Sequence, residues 1–151
     1  MVVAAAVLLA ALGAVADAAP GGATTARSAA STTLAALGGG HFSQICALAP
    51  PGEVSACQGD LKELAAARPA YTNLSLGVVT VRGTRAVFAF TGRVCATAGK
   101  RQCFSNADAN VALDHKKSFN QVYSTAAGGS SSSPFIVPLV EHGGRWYVAG
   151  F

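Results

Sequence analysis

Four cysteines, Cys46, Cys57, Cys95 and Cys103, carry the most specific chemistry in this 151-residue chain. An even set of thiols can close disulfides in an oxidising compartment or hold zinc as thiolates. Zinc sites space their ligands as C-x-x-C or pair cysteines with closely set histidines, and neither spacing occurs here. Disulfides are therefore expected and no metal site is. Four cysteines allow three pairings, and the chain favours Cys46–Cys57 with Cys95–Cys103. The first pair brackets Pro50-Pro51-Gly52 and the second a polar stretch with Gly99-Lys100-Arg101, so each closes a turn the sequence already makes.

Groups suited to acid–base or nucleophilic work are few and scattered. His41 follows three glycines, His115 sits in Asp114-His115-Lys116-Lys117, and His142 begins a glycine turn. An exposed polar side chain is the default at each of these places. Serines are plentiful, but no G-x-S-x-G elbow presents one as a nucleophile. A glycosidase-type pair needs two carboxylates facing each other across a cleft, whereas Glu53, Asp60 and Glu63 fall on the solvated side of one helix. Asp108, in Asn106-Ala107-Asp108, is the carboxylate to watch, although a turn bonding its own backbone accounts for it. Neither a catalytic residue nor a cofactor is expected.

The elements that position these groups begin after an apolar run. Residues 2–15 (VVAAAVLLAALGAV) suit the core of a secretory leader and are too short to span a bilayer, which needs about 20 apolar residues. Ala16-Asp17-Ala18 reads as an A-x-A cleavage site. No basic residue precedes the run, so the true start is expected upstream of Met1. No cysteine lies near the cleavage site and no hydrophobic tail ends the chain, so no stable membrane anchor is expected. The chain divides into a leader at 1–18, a flexible lead-in at 19–27 and one domain at 28–151. The net charge of +4 becomes +5 when Asp17 leaves with the leader. The basic residues are dispersed rather than gathered with aromatics on one face, which argues against nucleic-acid binding.

Helices are expected over 27–37, 41–48 and 53–67. Phe42, Ile45 and Leu48 face one way in the second, and Val54, Cys57, Leu61 and Leu64 in the third. After Pro69 the apolar period becomes two. Leu74, Leu76 and Val78 alternate, then Val79 and Val81 shift the phase, which signals a bulge. Arg82-Gly83 turns the chain into a second strand over 84–95, where Ala86, Phe88, Phe90 and Val94 share a face. Residues 96–110 read as a loop, 118–127 as a short helix, 128–133 as a flexible loop, and 135–148 as a closing hairpin. Helices first and mostly antiparallel strands afterwards make an α+β domain. Most aromatics fall on core-facing positions. A concave sheet capped by helices would also let Phe88, Phe90, Tyr123 and Trp146 line a pocket.

The segments GGGHFSQICAL, VVTVRGTRAVFAF and FIVPLVEHGGRWYVAGF, the last above all, resemble the NTF2-like (cystatin-like, SnoaL-related) superfamily over about residues 28–151. Small exported actinobacterial members are the nearest in character. The resemblance implies short N-terminal helices packed on a curved sheet that forms a cone, with pairing of two copies as an option. Enzymes of the family place a carboxylate base inside the cone. The inward positions here, Ala86, Phe88, Phe90, Trp146 and Val148, include no acid.

The chain is thus read as an exported, non-enzymatic binding or accessory domain of unknown ligand, with a small hydrophobic ligand or a secreted protein partner both open. The alternatives are a cell-envelope interaction protein or inhibitor with a secreted partner, and an isomerase or hydrolase acting on a small hydrophobic substrate. Export is checked by N-terminal sequencing of the secreted product: a start near Ala19 is expected, and full-length chain in the membrane fraction would contradict it.

Overall fold

The structure is a computed structural model that describes residues 21–109, 118–128 and 134–150. The leader, the Asp114–Lys117 stretch and residues 129–133 of the expected flexible loop lie outside the described residues.

Helix α1 (Ala26–Gly39) forms where small and apolar residues recur at three- and four-residue steps. Ala26, Ala29, Ala30, Thr33, Leu34 and Leu37 are buried along that stripe. Thr25 caps the start, its Oγ1 accepting from the Ser28 N–H at 3.0 Å. Gly40, at φ 70°, closes the end, and the His41 N–H donates back to the Ala36 carbonyl at 2.8 Å. Phe42–Leu48 then forms a 3-10 helix rather than an α-helix. The reason is in the spacing: Phe42, Ile45 and Leu48 repeat every three residues, the 3-10 period. Helix α2 (Val54–Ala66) follows the Pro-Pro-Gly turn. Of its expected apolar stripe only Cys57 is buried; Leu61 and Leu64 are half-buried and Val54 is exposed.

Five antiparallel strands make one open sheet: β1 (Ala70–Arg82), β2 (Arg85–Ala98), β3 (Lys100–Asn106), β4 (Ile136–His142) and β5 (Arg145–Val148). The architecture is α+β. Strand β2 pairs with β1 along one edge. Its other edge takes β4 over Arg85–Ala89 and β3 over Gly92–Ala98. Residues 96–110, expected as a loop, contain the end of β2 and all of β3. That strand is exposed on both faces, so it has no apolar alternation by which to be read.

Helix α3 (Phe119–Ala127) starts with a capping box between Ser118 and Gln121 and lies on the sheet face opposite α1. Ala86, Phe88, Phe90, Val94, Leu139 and Val148 pack in the α1-side core. Val87 and Ala89 pack with Val122, Phe119, Tyr123 and Ile136 on the other face. Five consecutive residues of β2, Ala86 to Phe90, are consequently 0–1% exposed.

The phase shift expected near Val79 is a register shift between Leu76 and Val79, and a second lies between Thr72 and Ser75. Gly92 sits across from the second at φ 140°. A Cβ there would stand 2.8 Å from Leu74 Cδ2 and 2.9 Å from the Thr72 carbonyl oxygen. Both backbone strain and space reject a side chain, so Gly92→Ala should destabilise the fold by about 2–3 kcal/mol. Denaturant unfolding checks this, and a change within about 0.5 kcal/mol, the range of an ordinary surface substitution, would contradict it.

Candidate functional site

Gly40 turns the chain out of α1 so that His41, Phe42 and Ser43 stand on one wall of an open groove. The other wall is α2, which contributes Leu61, Lys62 and Ala65, and the groove, open to solvent, has a volume of about 350 Å³. The two walls are joined by the Cys46–Cys57 disulfide, with Cα atoms 5.6 Å apart. Leu61 packs against that bridge and Ala49. Behind Phe42 stands Tyr71 of β1, its ring centroid 6.1 Å away. Burial pushes the Tyr71 hydroxyl pKa above its ordinary value, so the group stays neutral through the physiological range.

The groove therefore has an apolar floor from Phe42, Leu61 and Ala65, with three polar groups at its rim. His41 supplies an imidazole, Ser43 a hydroxyl and Lys62 an ammonium. This arrangement suits holding an apolar body and pairing a negative end with Lys62. The ammonium is exposed, so its contribution is that of a surface ion pair, about 0.2–1 kcal/mol.

The structure gathers Phe88, Phe90 and Trp146 in one core and sets Tyr123 apart on the other face of the sheet. Phe88 and Phe90 are wholly packed in the α1-side core, with Phe90 edge-on to Phe135 at 5.3 Å. Trp146 packs against the same core. Tyr123 lies across the sheet, stacked with Phe119 at 6.0 Å and covered by the Arg85 guanidinium at 5.4 Å. Two groove residues were legible in principle: Phe42 stands four residues before Cys46 and Leu61 four after Cys57, so closing the bridge opposes them. Lys62 gave no signal.

Among the other candidates, Glu53 at the N-cap of α2 and Asp60 and Glu63 on the helix are exposed. Asn106 organises the turn containing Asp108: its Oδ1 accepts from the Asp108 N–H at 3.1 Å. Its Nδ2 donates to the Asp108 and Phe90 carbonyls at 2.9 and 2.8 Å. Glu141 closes the β4–β5 turn by accepting from the Gly144 N–H at 2.8 Å, and His142 rests against Tyr147, ring to ring at 6.3 Å. Asp114 and His115 lie outside the described residues.

Neither a protein-family model nor a curated protein matches the chain. Among solved structures it is similar to a SEC-C motif containing protein from Rhodopseudomonas palustris. The two are 14% identical with a TM-score of 0.49, over 85% of this chain and 77% of that one. A likeness at this level carries nothing about function. The expected NTF2-like membership is corrected: no family model matches the chain, and nothing places it in that superfamily. The physical reason is that GGRWYVAGF specifies only an antiparallel hairpin with a buried face, which unrelated folds share. The actinobacterial source inferred from that resemblance loses its support with it.

Both disulfides pair as the turns required, Cys46–Cys57 and Cys95–Cys103. Since Cys57 is the only buried residue of α2, Cys57→Ala should release that helix at a cost of about 2–5 kcal/mol. Hydrogen exchange is the measurement: faster exchange confined to α2 and the 3-10 helix is expected, with the β2–β3 amides unchanged. Loosening of β2–β3 in the same variant would contradict the independence of the two bridges.

Proposed function

We propose that this chain is an exported, non-enzymatic binding domain whose groove between the 3-10 helix and α2 holds a small apolar ligand with an anionic end. The observation that carries this is the groove itself: Phe42 and Leu61 line it from two elements joined by a disulfide, with Lys62 beside Leu61. A volume of about 350 Å³ lies at the small end of the range for small-molecule sites. Export is supported by the leader-like run at 2–15 and by two disulfides, which persist in oxidising compartments.

A fluorescent naphthalene sulfonate, apolar with one negative charge, is a suitable probe. Phe42→Ala should weaken its binding about tenfold, the loss of roughly 1.4 kcal/mol of apolar contact. Lys62→Glu should weaken it about threefold and abolish its preference over an uncharged naphthalene. Equal binding by wild type and Phe42→Ala, with the fold intact by near-UV circular dichroism, would remove the groove as the site.

A further inference from the structure

The strand register sorts the charged side chains of the sheet by face. Residues directly opposite in an antiparallel pair point the same way. Arg82 pairs with Arg85, Arg93 with Ser105, Thr97 with Arg101, and His142 with Arg145. These pairs share the face that carries Val87, Ala89 and α3, so five of the seven arginines stand on it. Helix α3 has no charged residue. The single carboxylate within the five strands, Glu141, pairs with Trp146 on the α1 side.

Two of the five arginines are already engaged. Arg85 covers Tyr123, and Arg145 donates to the Gly21 and Gly22 carbonyls at 2.9 and 2.7 Å. Arg93 and Arg101 are exposed and have no hydrogen-bond or ion-pair partner among the described residues. They flank the Cys95–Cys103 bridge on the β2–β3 ribbon, with the hydroxyl residues Thr97 and Ser105 opposite them.

Among the described residues, the same ribbon presents an open edge. Phe90 donates its N–H to Phe135 and Thr97 donates its own to Ala67, which precedes β1. Even-numbered residues of β2 therefore direct their backbone groups toward β3 and β4, and odd-numbered ones toward β1. Cys95 and Cys103 accordingly form a non-hydrogen-bonded pair, in keeping with a Cα separation of 4.0 Å. It follows that Arg101, Cys103 and Ser105 aim their N–H and C=O groups away from β2. No backbone hydrogen bond among the described residues reaches them. On the α1-side face of the strand, Phe104 is 51% exposed.

We propose that the outer edge of β3 docks an extended acidic segment of another protein as an added strand. The outward backbone groups of Arg101, Cys103 and Ser105 supply the ladder. Alternate side chains of the guest meet two surfaces. Those on the arginine side would be carboxylates facing Arg93 and Arg101, and those on the other side would be apolar against Phe104. A second copy of β3 fits less well, because edge-to-edge pairing would bring arginines together without a countercharge. This surface is separate from the groove and does not depend on it.

The probe is a synthetic peptide alternating glutamate and valine, seven residues long like β3, titrated against the oxidised full chain. Binding that falls with added salt is expected, with no binding by a lysine–valine peptide. Arg101→Glu should weaken it about tenfold through charge reversal next to the guest carboxylates. Ser105→Pro removes one outward donor without touching the β2–β3 ladder and should weaken it about tenfold at unchanged melting temperature. If that variant fails to fold, glutamate–valine peptides N-methylated on alternate amides replace it: methylation in one phase should abolish binding and in the other should not. Absence of binding, equal binding of the lysine peptide, indifference to methylation phase, or concentration-dependent dimers with no peptide binding would each overturn the proposal. Phe42→Ala should leave the peptide titration unchanged, so the edge and the groove succeed or fail separately.

Discussion

Strand β2 is hydrogen-bonded along both edges and, from Ala86 to Phe90, buried on both faces, and most of the fold is arranged by what it does to that stretch. Its five residues from Ala86 to Phe90 are almost wholly enclosed. Burying a side chain such as Val87, Phe88 or Phe90 contributes about 1.5–3 kcal/mol apiece. No other element concentrates burial so tightly. The demand is geometric as well as energetic, since one edge must serve two partners in succession. Phe90 is the handover: its N–H bonds Phe135 just ahead of β4, and its carbonyl accepts from Asn106 at the end of β3. Two register shifts in β1 and the positive φ of Gly92 bend the sheet where that exchange occurs.

In α2 and β3, unlike β2 and α1, burial is thin and covalent bonds take its place. Helix α2 buries Cys57 alone, and no side chain of β3 is buried. Each of these elements holds one cysteine whose partner lies in a better-anchored neighbour: Cys46 in the 3-10 helix and Cys95 in β2 are themselves buried. A cross-link of this kind acts mainly by limiting the unfolded chain, so it can hold an element that contributes little to the core. The two bridges thus extend the domain at both ends of what its hydrophobic core can support.

The sequence was most informative where one face of an element is buried and the other is wet. The β1–β2 turn, the bulge before Val79, helix α3 and the closing hairpin all show the expected period, and each is found in place. Two failures share a cause, namely departure from that one-sided condition. Strand β3 is exposed on both faces, so nothing alternates. In β2 the expected shared face of Ala86, Phe88, Phe90 and Val94 is found, but Ala86 to Phe90 is buried on both faces, so the run does not show which face helix α3 covers. Placing Tyr123 beside Phe88 and Phe90 follows directly from that ambiguity. The groove was less visible still, because Phe42 and Leu61 oppose each other only through the bridge between them, and Lys62 follows no pattern that marks a site.

The same distribution of burial decides where recognition can occur. A residue packed as tightly as Phe88 or Leu139 has no surface to offer a ligand, and moving it would disturb the whole sheet. Surfaces able to meet a partner must come from elements that the core does not consume, and those would ordinarily fray. Disulfides remove the conflict, since they order α2 and β3 without covering them. Both candidate surfaces, the groove beside Cys46–Cys57 and the strand edge beside Cys95–Cys103, lie where a bridge stands in for missing burial. The two bridges also differ in consequence. The first sets the distance between two walls, so losing it would change the shape of the groove. The second crosses a ladder already hydrogen-bonded on either side of it, so losing it would leave the edge present but less firmly ordered.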